Sequence, residues 1–122
     1  GVEIDERLVV PQVSDRESAA SALGRLRALD EPPTAIFSAN ARSSMALAHV
    51  LRGNPLPFVG FGDFPMADTL SPAVTVIDQD PRRIGALAAE RVFARLEPDA
   101  GLGLDEVTVI DVSLVERESC RV

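Results

Sequence analysis

The sequence predicts an α/β fold, a mostly parallel sheet flanked by helices. Two observations lead there. Short apolar runs at residues 34–39, 58–61 and 74–77 have the length and composition of buried parallel strands. Stretches of helical periodicity alternate with them, and strand–helix repetition is the signature of a parallel sheet with helical crossovers. At 122 residues the chain amounts to one domain at most, with room for a modest core.

Taken in order, residues 1–7 are polar and read as a connection. Leu8, Val9, Val10 and Val13 suggest a short strand, with Pro11 placing it near an edge. Ser14 and Glu17 fit a capping box opening a helix whose apolar stripe is Ala19, Ala22, Leu23, Leu26 and Leu29. Pro32 and Pro33 end it. The strand at 34–39 leads through Asn40 into a helix at 41–52. That helix is apolar on more than one side: Leu47, Val50 and Leu51 can face a sheet, while Met45 and Ala48 point elsewhere. Such a helix is normally covered on both sides, by a neighbouring element or by a second subunit. Residues 53–55 turn into the strand at 58–61, and a loop leads to the strand at 74–77. Asp78 and Asp80 read as turn and N-cap acids for a helix at 82–96, striped by Ile84, Leu87, Ala88, Val92 and Leu96. A loop at 98–105 and a final strand at 107–115 follow, and Glu116, Arg117 and Glu118 read as a solvated charge run.

Composition removes several functions. Net charge is −7, which opposes general nucleic-acid binding, because phosphate backbones are held by clustered cations. There is no lysine, so Schiff-base and phosphate-loop chemistry are out, as is a phosphoacceptor receiver site. One cysteine, Cys120, excludes an internal disulfide or a cysteine-based metal site; one histidine, His49, lies mid-helix without ligand partners. No nucleophile elbow or nucleophile–base pair stands out, so no catalytic residue, metal or cofactor is expected. Nothing approaches the about 20 apolar residues of a membrane span or shows a signal-peptide layout, and a cytoplasmic location is the expectation.

In open parallel sheets, ligands gather outside the carboxyl ends of the strands. That rule selects Ser38, Asn40, Gly62, Asp63, Asp78 and Gln79, small polar groups suited to hydroxyl-rich ligands. The competing use of Asn40 and Asp63 is as helix caps or turn residues.

Three stretches in this order, PPTAIFSANARSSMALAHVLR, FVGFGDFPMADTLSPAVTVIDQDPRRIGALAAERVF and LVERES, resemble the C-terminal part of the effector domain of LacI/GalR-type transcriptional regulators. The resemblance runs the length of the chain. It implies a periplasmic-binding-protein-like fold of type I, two α/β lobes joined by crossover strands, with this chain as a C-terminal lobe portion. Residues 78–98 would match the crossover and the helix that packs on the N-terminal lobe. Here that helix is expected to fold back on its own sheet or dock on a second copy. Asn40, Gln79 and Asp63 match positions that contact the effector. Gly62 stands where the family's G-F-D-D motif has its first acid, and Ala41 replaces a frequent Asn or Asp. With no Trp or Tyr, Phe61 and Phe64 are left for stacking on a sugar face.

The resemblance implies sensing of a small effector, a carbohydrate or nucleoside, rather than catalysis. Operator DNA would be bound only through an N-terminal head outside this chain. The helix at 41–52 would contribute Met45 and Ala48 to a homodimer seam. A periplasmic sugar-binding protein of the same fold is the alternative.

Overall fold

The computed structural model describes residues 3–53, 56–96 and 107–121. Its elements are helix α1 (Arg16–Arg27), strand β1 (Ile36–Ser38), helix α2 (Ala41–Val50), strands β2 (Phe58–Phe61) and β3 (Thr75–Asp78), helix α3 (Pro81–Leu96) and strand β4 (Ser113–Val115). They form one four-stranded sheet in the order β1-β2-β3-β4. The first two pairings are parallel and β3–β4 is antiparallel, so the sheet is mostly parallel, as expected.

Alternation along the strands gives the sheet two unlike faces. Phe58, Gly60 and Val76 are buried on one side. There they join Leu47 of α2 and Leu51 just past its end, Leu23 of α1, and Phe64, Ala67 and Val74 from the connection between β2 and β3 in one core. Burying side chains of this size contributes about 1.5–3 kcal/mol each. Gly60 is small for a packing reason: a Cβ there would lie 2.6 Å from the Ser44 hydroxyl, itself fully buried. On the other face, Phe37 is 58% exposed and Leu114 63% exposed.

Several expectations are corrected. Residues 8–13 form no strand; Glu6–Leu8 is a 3-10 turn and the rest is irregular, Pro11 lacking an N–H for a ladder and Gln12 standing at φ +62°, away from extended geometry. The cap of α1 is one residue later than expected. Asp15, not Ser14, accepts from the Ser18 amide, and the Ser18 hydroxyl, not Glu17, reaches back to the Asp15 amide. The bond from the Ser18 amide foremost, and then one from the Ser18 hydroxyl to the same carboxylate at 2.7 Å, hold the Asp15 carboxyl below its usual range. The final strand is confined to 113–115. Val107 and Val109 remain exposed and unpaired, while the expected loop at 98–105 lies outside the described residues.

The largest correction concerns α3. It does not fold back on its own sheet: none of its residues is buried, and Val92, Phe93 and Leu96 are 58%, 66% and 72% exposed. The stripe is present as periodicity, which marks the apolar side of a helix but not what covers it. Asp80 caps the helix by accepting from the Arg83 amide, and Asp78 accepts from the Asp80 amide, as turn and cap acids do.

Candidate functional site

The carboxyl ends of β1, β2 and β3 deliver the selected residues, and the structure sorts them into three groups. Gly62 follows β2 with φ +85°, a left-handed conformation that favours glycine. A Cβ placed on it would lie 3.7 Å from the Ala41 Cβ and 3.9 Å from the Gln79 side-chain nitrogen. So Gly62, Ala41 and Gln79 share one place where two parallel strands stop and α2 begins. The Gly62 amide is tied to the Ile77 carbonyl at 2.8 Å, which fixes the turn against β3.

Asn40 and Ser38 form the second group. The Asn40 side-chain oxygen accepts from the Ser43 amide at 2.9 Å and caps α2. Its amide nitrogen takes no part in the cap. Ser38 is buried, and its hydroxyl donates to the Asn40 carbonyl at 3.3 Å. Both line a cavity of about 450 Å³ between β1, α1, α2 and residues 8–13.

Asp63 belongs to a third place. Its carboxylate takes two bonds from the Arg117 guanidinium, at 3.0 and 2.8 Å, and Arg117 also donates to the Val74 carbonyl at 2.8 Å. Arg117 is thus no part of a solvated run: its side chain is only 16% exposed. Two parallel N–H···O bonds in a planar fork are the strong form of this pair. The hydrogen bonds it donates to Asp63 hold the guanidinium above its ordinary range against partial burial, with Asp68 and Asp78 adding to the effect. These acids, with Asp80 and Arg82, line a cavity of about 490 Å³ that neither Asn40 nor Gln79 enters. Asn40 thus lines the cavity beside β1, and Asp63 the one beside Arg117.

The aromatic expectation divides as well. Phe64 is 5% exposed and belongs to the core, so it is unavailable for stacking; Phe61 is half-buried on the open face of the sheet. Met45 is 47% exposed, while Ala48 is half-buried and packed against the core. His49 is exposed, and among the described residues no group of His, Cys, Asp or Glu could hold a metal ion. Among them, too, no helix is long and apolar enough to cross a membrane.

A model of the periplasmic binding protein-like domain family matches residues 1–120. The repressor PurR of Photobacterium profundum is 29% identical over 103 residues, which is 80% of this chain and 31% of that protein. The chain thus spans about a third of the length of that relative. A transcriptional regulator of the LacI family from Sanguibacter keddieii DSM 10542 superposes with a TM-score of 0.77 at 28% identity. The match covers 96% of this chain and 47% of the other. The Lac repressor dimer bound to operator and an anti-inducer superposes with a TM-score of 0.70 at 22% identity, over 87% of this chain and 33% of its own, a likeness of fold. The chain belongs to the periplasmic binding protein-like domain family and corresponds to part of an effector-binding domain of the LacI type.

Proposed function

We propose that this lobe supplies one side of a small-effector site in a LacI-type transcriptional regulator that is not an enzyme. The observation that carries the reading is the meeting of Gly62, Ala41 and Gln79 beyond the carboxyl ends of β2 and β3. Gln79 offers an amide that both donates and accepts, which suits the hydroxyls of a carbohydrate or nucleoside. Glycine and alanine leave room for the ligand but contribute no charge, and Asp63 is committed to Arg117. An uncharged effector fits this set. Asn40 and Ser38 at the start of α2 and Phe61 beside Gly62 complete the proposed contacts. The chain would leave this lobe through residues 78–98 for the second lobe, which the exposed stripe of α3 would meet. Operator DNA would be bound in the cytoplasm by a head outside these residues, and effector binding would shift the lobes and so the heads.

The test is calorimetric titration of the full-length regulator with a panel of monosaccharides and nucleosides. One of them should bind, and Gln79→Ala should weaken it at least about tenfold, the loss of one or two hydrogen bonds. Unchanged affinity in that variant overturns the assignment of Gln79. Failure of the whole panel overturns the effector class.

Met45, which is exposed, and Ala48, at the margin of the core, are proposed as the seam of a homodimer. Met45→Glu buries a charge there and should raise the dimer dissociation constant by about tenfold or more. Sedimentation of the full-length protein decides it, and an unchanged dimer population counts against this face.

A further inference from the structure

A cavity of about 490 Å³ lies at the other end of the sheet from the effector residues. Phe58, which opens β2, and Val74, just before β3, border it. Gly62 follows the far end of β2, about 13 Å away at about 3.3 Å per residue. The remaining walls come from Leu51 past the end of α2, Leu70 in the connection between β2 and β3, and the turn at Glu118–Cys120. Among the described residues, three charged side chains line this cavity: Arg52, Arg121 and Glu118. Arg52 has no carboxylate partner among them. Arg121 approaches Glu116 only at 3.9 Å, with 69% and 62% of the two side chains exposed, a contact that water screens. Glu118 is engaged, its carboxylate accepting from the Ala73 amide at 3.1 Å. An apolar hollow of this size with a few charged groups has the form of a small-molecule site.

We propose that this cavity binds a small monocarboxylate with an apolar body, at a site separate from the effector's. The walls select the body, since Leu51, Phe58, Leu70 and Val74 offer carbon to pack against. The charges select the head. Two guanidinium groups against one carboxylate leave a single positive charge uncompensated, in a chain whose net charge is −7. A carboxylate matches that charge and the planar fork of an arginine. A phosphate, carrying about −1.5 to −2 at neutral pH, would set a second charge against Glu118. A neutral molecule would gain nothing from the arginines beyond ordinary hydrogen bonds. Of the lining residues, only Ala48 belongs also to the proposed dimer seam. The inference does not depend on the effector site.

The experiment is calorimetric titration of the full-length regulator at neutral pH with phenylbutanoate, its amide, and phenyl phosphate. The acid should bind saturably, and the amide and the phosphate should each bind at least about tenfold more weakly. Replacing both arginines, Arg52→Gln with Arg121→Gln, should weaken the acid at least about tenfold. Both side chains are exposed, so the variant should fold. Gln79→Ala should leave the affinity for the acid unchanged, because Gln79 lies at the effector end beside Gly62. The proposal is overturned if millimolar acid does not bind, if the amide or the phosphate binds as tightly, or if the double arginine variant binds the acid unchanged. It is also overturned if Gln79→Ala abolishes binding, since the acid would then occupy the effector site.

Discussion

Arg117→Ala is expected to destabilise the lobe by about 2–4 kcal/mol, the range for removing several bonds made by a partly buried charged group. The substitution deletes both bonds to Asp63 and the bond to the Val74 carbonyl, and it leaves Asp63 among Asp68, Asp78 and Asp80 without its counter-ion. Asp63→Asn should cost less, about 1 kcal/mol, because an amide still accepts one guanidinium bond and the Asp63 side chain is 34% exposed. Urea denaturation of the two single variants and the double variant separates the pair from its surroundings. If Arg117→Ala and Asp63→Asn cost the same and add, the bridge is only a surface ion pair and this account of Asp63 fails. A functional consequence travels with the stability loss. Without Arg117, Asp63 would become a free carboxylate one residue from Gly62, so the variant should alter effector selectivity as well.

The bridge also shows where sequence reading stopped. Arg117 and Asp63 are 54 residues apart, and nothing periodic marks such a contact. Within Glu116-Arg117-Glu118, alternating charge looks the same whether the arginine is solvated or turned inward. Local rules did better. The strand at 58–61 and the α2 start at Ala41 follow from composition and a capping asparagine, both properties of adjacent residues. The segments at 8–13 and 107–112 have strand composition, yet strand formation depends on a neighbour, and their own sequence says nothing about one. The stripe of α3 was legible for the same reason that its exposure was not: periodicity reveals which side is apolar, not what covers it. At the site, Gly62, Ala41 and Gln79 could be selected as positions. Their meeting depends on the register of β2 with β3.

Ser119→Ala should cost about as much as losing Arg117, roughly 2–4 kcal/mol, although it removes a single oxygen. The Ser119 hydroxyl donates to the Phe58 carbonyl at 2.6 Å and accepts from the Thr75 amide at 2.8 Å. Both backbone groups belong to residues that are almost wholly buried, so water cannot replace the lost bonds. Each orphaned group carries a penalty of about 1–3 kcal/mol. The neighbouring Cys120→Ala provides the contrast. Its thiol lies 3.1 Å from the Thr75 hydroxyl, a weak contact, and that hydroxyl also accepts from the Arg117 amide. Cys120→Ala should therefore cost less than about 1 kcal/mol. Equal midpoints for the two variants in urea would mean that the turn at Glu118–Cys120 is held by packing rather than by Ser119. If the serine is the fastener, its loss should also loosen Arg117, two residues away. Ser119→Ala and Arg117→Ala should then be less than additive, because the turn that ties the chain under β2 and β3 also aims the guanidinium at Asp63.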